Sequence, residues 1–172
     1  MKYMLDTNVF NWLVQGDLSI DDLPSNGDFV ATPVQRAELE ATRTDEKREA
    51  LLAMFSEVVI DLYSASLSFD VRGAGFDQGR WTDGKLASAI RSDLERKRKK
   101  RNNVQDALIA ETAITNGFIL VTCDGELRRA AEAHGCRVRF FSKKRTSVKL
   151  SLDRGCEPLP RNPKHRRSHS GC

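Results

Sequence analysis

The amino-acid sequence predicts an α/β protein, a three-layer α/β/α domain on a mainly parallel sheet of about five strands. Three observations lead there. Short apolar runs rich in β-branched and aromatic residues alternate with helical patterns along most of the chain. Capping residues, proline and glycine stand between the two kinds of segment at the ends where each is favoured. Asp6 and Asp124 each lie just past an apolar run, at the carboxyl end of a predicted strand, where open parallel sheets place their ligands.

The elements follow in order. Lys2 to Leu5 is a short strand, and Thr7 to Val14 a helix with Gly16 beyond its end. Phe29-Val30-Ala31 is a second strand; Thr32 then caps a helix through about Thr42, with Pro33 at its first position, where a missing N–H costs nothing. Thr44 caps the helix Asp45 to Phe55, and the β-branched run Val58-Val59-Ile60 predicts a third strand. A helix over Ser66 to Gly73 and a Gly-rich loop from Gly73 to Gly84 come next. That loop lacks the spacing of a phosphate cradle, and its Trp81 is expected to anchor it to the core. Thr82 and Asp83 open a helix that ends in a basic run, and Asn102 and Asn103 offer a cap for the helix Val104 to Asn116. The strand Phe118 to Thr122, a helix from Glu126 to His134 closed by Gly135, and the strand Arg137 to Phe141 complete the pattern. His134 is placed to cap that helix rather than to act as a base.

Residues 1–141 therefore form one domain. Residues 142–172, rich in Lys, Arg, Ser and Pro, form a basic flexible tail. No stretch approaches the roughly 20 apolar residues that cross a bilayer, and the N-terminus lacks a signal pattern, so a soluble, cytoplasmic protein is expected. The four cysteines show no paired spacing and read as reduced thiols. Cys156, His165, His169 and Cys172 are too irregular for a zinc site. No Gly-x-Ser-x-Gly elbow is present, which excludes a serine hydrolase of that type.

Charge is distributed unevenly. Residues 1–90 carry 8 Lys and Arg against 15 Asp and Glu, whereas residues 91–172 carry 20 against 9, within a net charge of +4. Such asymmetry points to an anionic polymer as partner. The run Arg96-Lys97-Arg98-Lys99-Lys100-Arg101 is the candidate phosphate-binding segment, because it leads straight into the helix that carries Asp106.

Four acids, Asp6, Glu38, Asp106 and Asp124, fall where strands end or helices begin, so one crevice could hold them all. Four carboxylates gathered there would repel one another unless a cation sat among them. Hard divalent cations take oxygen ligands, a few carboxylates plus water and substrate phosphate.

Met4-Leu5-Asp6-Thr7-Asn8, Ala37-Glu38-Leu39, Asn103-Val104-Gln105-Asp106-Ala107-Leu108-Ile109-Ala110 and Leu120-Val121-Thr122-Cys123-Asp124 resemble, in order, the four motifs of the PIN-domain nucleases, especially the VapC-type toxins. The resemblance spans about residues 2 to 141. It implies a PIN-like fold and an endoribonuclease using Mg²⁺ or Mn²⁺ held by Asp6, Glu38, Asp106 and Asp124, with water-driven hydrolysis leaving a 5′-phosphate. Asp6 and Asp106 are the expected direct ligands. Asp124 would complete the site directly or through water, and Glu38 would ligate or orient the attacking water. Thr7, Asn8 and Thr122 can hydrogen-bond these carboxylates and fix their rotamers. Glu40 points to another side of its helix and is read as solvated, and Glu126 is a further acid near the site. Expected partners are RNA, an antitoxin protein and, as in relatives, a second copy in a homodimer; no membrane is involved. The alternatives are a PIN-like nuclease of RNA processing or decay without antitoxin, and a non-catalytic RNA-binding scaffold. The long link between Glu38 and Asp106 suggests a substrate-specific insertion around Gly73 to Asp83.

Overall fold

The computed structural model of the 172-residue chain describes residues 1–68, 70–75, 78–97, 100 and 102–142. Five parallel strands, β1 (Lys2–Leu5), β2 (Asp28–Ala31), β3 (Asp61–Leu62), β4 (Ile119–Thr122) and β5 (Arg137–Phe140), form one sheet in the order β3-β2-β1-β4-β5. Six helices pack on it: α1 (Thr7–Gln15), α2 (Pro33–Glu40), α3 (Asp45–Val58), α4 (Lys85–Lys97), α5 (Asn103–Thr115) and α6 (Gly125–Ala133).

Strand periodicity divides the core into two layers. Alternate side chains of one strand point to opposite faces, so Tyr3, Leu5, Ala31 and Val121 meet Val9, Phe10 and Leu13 of α1, Leu39 of α2, and Leu51 and Phe55 of α3. Met4, Val30 and Leu120 face the other way, onto Ile90 and Leu94 of α4, Ala107, Ile109 and Ala110 of α5, and Leu127 and Ala131 of α6. The sheet is covered on both sides, which is why its central strands read as unbroken apolar runs. Phe10 and Phe55 tilt against each other at 5.2 Å between ring centroids and tie α1 to α3. A third, smaller cluster of Val34, Ala65, Val71, Ala74 and Leu108 joins α2, α5 and the segment after β3. Among the described residues no helix is long and apolar enough to cross a membrane.

Three sequence expectations differ from the structure, and one short element was not among them. The run Val58-Val59-Ile60 is not the third strand: α3 continues through Val58, whose side chain is buried in the α1–α3 layer, and pairing starts only at Asp61. Helix packing prevailed there over β-branched preference. The described residues of Ser66 to Gly73 are turns and bends, with Ser66 bridged to Arg80, rather than a helix. Trp81 is 74% exposed, so it does not anchor its loop to the core. A short 3₁₀ turn at Ile20–Asp22, capped by Ser19, was unforeseen. Asp77, Arg98, Lys99, Arg101 and the tail from residue 143, with its cysteines and histidines, lie outside the described residues.

Candidate functional site

The chain leaves β1 toward β2 and β3 on one side and later builds β4 and β5 on the other, so order reverses between β1 and β4. Such a switch point opens a crevice at the carboxyl ends of the two strands. Asp6 and Asp124 flank it. Asp6 follows β1, donates its backbone N–H to the Val121 carbonyl at 2.9 Å, and occupies the N-cap position of α1. Its side chain is fully buried. Oδ2 accepts hydrogen bonds from the Thr122 hydroxyl at 2.7 Å and the Asn8 amide at 3.3 Å. Oδ1 is buried with no partner.

Asp124 caps α6 in the ordinary way: Oδ1 accepts from the backbone N–H groups of Glu126 and Leu127, at 2.7 and 3.3 Å. Thr122 links the two strand ends, because its hydroxyl donates to Asp6 and accepts the Asp124 N–H at 2.9 Å. Glu38, on α2, accepts from the Thr7 hydroxyl at 2.8 Å through Oε2 and from the Asn102 amide at 2.6 Å through Oε1. Asp106 lies in the first turn of α5. Among the described residues no side chain donates a hydrogen bond to it.

The four acids share one electrostatic field. Burial, followed by repulsion from Asp6, Glu38 and Asp124, raises Asp106 well above its ordinary value. Burial likewise pushes Asp6 up to about 6, against the hydrogen bond from Thr122. Burial also raises Glu38. Asp124 runs the other way: burial would raise it, but the two helix amides and the Lys100 ammonium hold it below its ordinary value. Among the described residues no three Asp, Glu, His or Cys side chains form a ready-made metal cage. Their partners show why, since Glu38 and Asp124 are turned toward donors of their own. A Mg²⁺-sized ion needs only one or two carboxylates besides water and phosphate, so a smaller donor set could hold one. The orphaned, fully buried Asp6 Oδ1 could be one such oxygen, and Asp106, within its electrostatic reach, could offer a second.

Two further side chains position the site: Gln35, and Asn102, which the sequence offered only as a helix cap. Gln35 is fully buried and bridges α2 to β1: its amide donates to the Leu5 carbonyl while its oxygen accepts the Thr32 N–H. Asn102 sets Glu38 from the α4–α5 turn. An amide at helix position N3 is a sequence signal for the first, as part of a capping box. Nothing local signals the second.

The basic run divides. Arg96 pairs with Asp93 on its own helix. Lys100 turns inward to Asp124 Oδ2 at 3.2 Å and Glu126 Oε2 at 2.9 Å. Arg98, Lys99 and Arg101 are outside the described residues, as is the Lys97 side chain. A different set of cations lines the adjoining cleft of about 810 Å³, which runs from Thr7 and Glu38 past Gln105 to Arg43, Arg72 and Arg91. Arg43 and Arg72 are exposed and make no hydrogen bond or ion pair among the described residues, whereas Arg91 pairs with Glu95 at 2.7 Å. Glu40 pairs with Arg36 on the surface, and His134, the C-cap of α6, meets Asp93 at 2.9 Å.

No protein-family model matches the chain. No curated protein matches it either. Solved structures do. A VapBC2 structure from Rickettsia felis, bound to a DNA fragment from its promoter, is 20% identical with a TM-score of 0.51, covering 81% of this chain and 98% of that one. VapBC-1 from nontypeable Haemophilus influenzae is 18% identical with a TM-score of 0.50, covering 81% and 98%. A domain of a functionally unknown protein from Methanocaldococcus jannaschii is 20% identical with a TM-score of 0.50, covering 88% and 99%. At such identity the likeness speaks for architecture alone, and it agrees with the strand order and layers described above. The chain thus has the PIN-like three-layer α/β/α fold of these VapBC structures.

Proposed function

We propose that the protein is a cytoplasmic, Mg²⁺- or Mn²⁺-dependent endoribonuclease that hydrolyses RNA phosphodiester bonds, the toxin of a toxin–antitoxin pair like its VapBC structural neighbours. One observation carries the reading. A fully buried carboxylate, Asp6, presents an unpartnered oxygen in the field of three more acids at the switch point of a parallel sheet. Burial of that much negative charge is costly unless a cation is part of the working site.

Asp6 and Asp106 would hold the ion. When bound, it would supply positive charge to activate a water and offset charge on the phosphate oxygens. Glu38, fixed by Thr7 and Asn102 but with lone pairs to spare on each oxygen, would take a proton from the attacking water. Thr122 and Asn8 hold the Asp6 carboxylate in one rotamer. Arg43 and Arg72 in the cleft would grip the backbone of single-stranded RNA, which is the polar, phosphate-directed task of unpaired surface arginines.

Incubating the full-length protein with total RNA and Mn²⁺, followed by end-mapping, tests the reaction. Discrete internal cuts bearing 5′-phosphates are expected, and none with Asp106→Asn. Intact RNA in the presence of Mn²⁺ would leave only a binding scaffold. The cleft is tested separately by charge reversal. In an Asp106→Asn background, Arg43→Glu with Arg72→Glu should weaken single-stranded RNA binding about tenfold or more and flatten the slope of log K on log salt by about 1.4, from ~0.7 per lost contact. An unchanged affinity and slope would remove these arginines from the interface.

A further inference from the structure

Two residues between α4 and α5, Lys100 and Asn102, contact the acidic cluster. Asn102 reaches one side and fixes Glu38, while Lys100 reaches the other and bridges Asp124 and Glu126. Both Asp124 oxygens are consequently engaged: Oδ1 by the Glu126 and Leu127 amides, Oδ2 by the Lys100 ammonium at 3.2 Å. The second acid of that side, Glu126, is engaged by the same ammonium at 2.9 Å. On the opposite side Asp6 keeps an unpartnered oxygen, and Asp106 receives no hydrogen bond among the described residues.

Two-metal phosphodiesterase sites need a pair of ions about 3.5–4 Å apart, commonly sharing a carboxylate. Here one carboxylate of the cluster, Asp124, is already paired with a covalently tethered cation. We infer that Lys100 takes the place of a second ion, so that the site binds one divalent cation at Asp6 and Asp106 while the Asp124–Glu126 side is closed to metal by the chain's own ammonium. This inference rests on the metal-dependent reading above but adds a stoichiometry and a gatekeeper to it. The ammonium is a point charge with three donors on a flexible stem, so it can pair with two carboxylates at once without demanding octahedral geometry.

The test needs neither RNA nor turnover. Free Mn²⁺ is followed by its electron paramagnetic resonance signal as full-length protein is titrated, for the wild type, Lys100→Met, Lys100→Arg and Lys100→Met combined with Asp124→Asn. One equivalent of bound Mn²⁺ is expected in the wild type and in Lys100→Arg. Lys100→Met should gain a second equivalent, or bind the first about tenfold or more tightly, a change on the scale that groups around a metal exert on affinity. Adding Asp124→Asn should cancel the gain. Thermal melts of the same samples show whether each variant is folded. Two equivalents in the wild type, or a Lys100→Met titration identical to the wild type, would overturn the inference and leave the metal reading intact. No Mn²⁺ bound by any variant would bring down both.

Discussion

Asp6→Asn is expected to destroy cleavage and to stabilise the protein. The first effect follows from its place: Asp6 holds a buried oxygen without a partner inside the acidic cluster, and losing a group that stabilises charge at a reacting centre costs roughly 10²–10³-fold in rate or more. The second follows from burial. A fully buried carboxyl pushed up to about 6, with Glu38 and Asp124 adding repulsion, is penalised in its ionised form whenever no cation is bound. An amide of the same shape escapes that penalty. The sign fixes the pH window. Because the folded value lies above the ordinary 3.8, the folded state is favoured at low pH and loses stability as pH rises from about 4 through about 6, with no further loss beyond. In EDTA at pH 7.5 the variant should therefore be more stable by roughly 1–3 kcal/mol, or several degrees in Tm, and the gap should close near pH 4. Saturating Mn²⁺ should reverse the order, since only the wild type gains stability from binding. A variant melting below the wild type in EDTA at pH 7.5 would contradict this account of the cluster.

The parts of this molecule legible in its sequence are those set by local rules. Apolar strands followed at once by Asp6 and Asp124, the Thr32-Pro33 helix start, and the Asn116-Gly117 helix stop each express a short-range preference, and each stands in the structure where the pattern puts it. The misread parts depended on tertiary context. Val58 is as β-branched as a strand residue should be, yet the α1–α3 layer gave it more burial as the last turn of a helix. Trp81 has the size of an anchor but sits where the loop faces outward. The basic run illustrates the same limit for the site. Composition shows six cations before Asp106; only three-dimensional packing shows that Arg96 is spent on its own helix while Lys100 enters the cluster. Gln35 and Asn102 act across 30 and 64 residues of chain, distances over which spacing carries no information.

The second large effect comes from outside the crevice. The segment after β3 packs on the N-terminus of α2 and comes close to its backbone at Gly73, where φ is +83°. Gly73→Ala would meet two costs at once. The left-handed backbone is unfavourable for any residue bearing a Cβ, by about 1 kcal/mol. That Cβ would also be driven into the Pro33 carbonyl and sit 2.6 Å from the Val34 nitrogen, where the obstacle is backbone and cannot rotate aside. Relief requires α2 or the segment to shift, at the 1–3 kcal/mol typical of overpacking. A total of about 2–4 kcal/mol is a large share of ordinary domain stability, so urea midpoints should fall markedly with little change in slope. The functional cost reaches further than stability. α2 carries Glu38 and is hydrogen-bonded to β1 through Gln35, so displacing its first turn would move the proposed proton acceptor relative to Asp6, while the Asp6 and Asp106 carboxylates stand on other elements. Well below the melting range, Gly73→Ala should therefore bind Mn²⁺ as the wild type does yet cleave RNA many-fold more slowly, and the pattern of cut sites should persist. Unaltered stability and cleavage in this variant would mean that the segment after β3 does not set the position of α2.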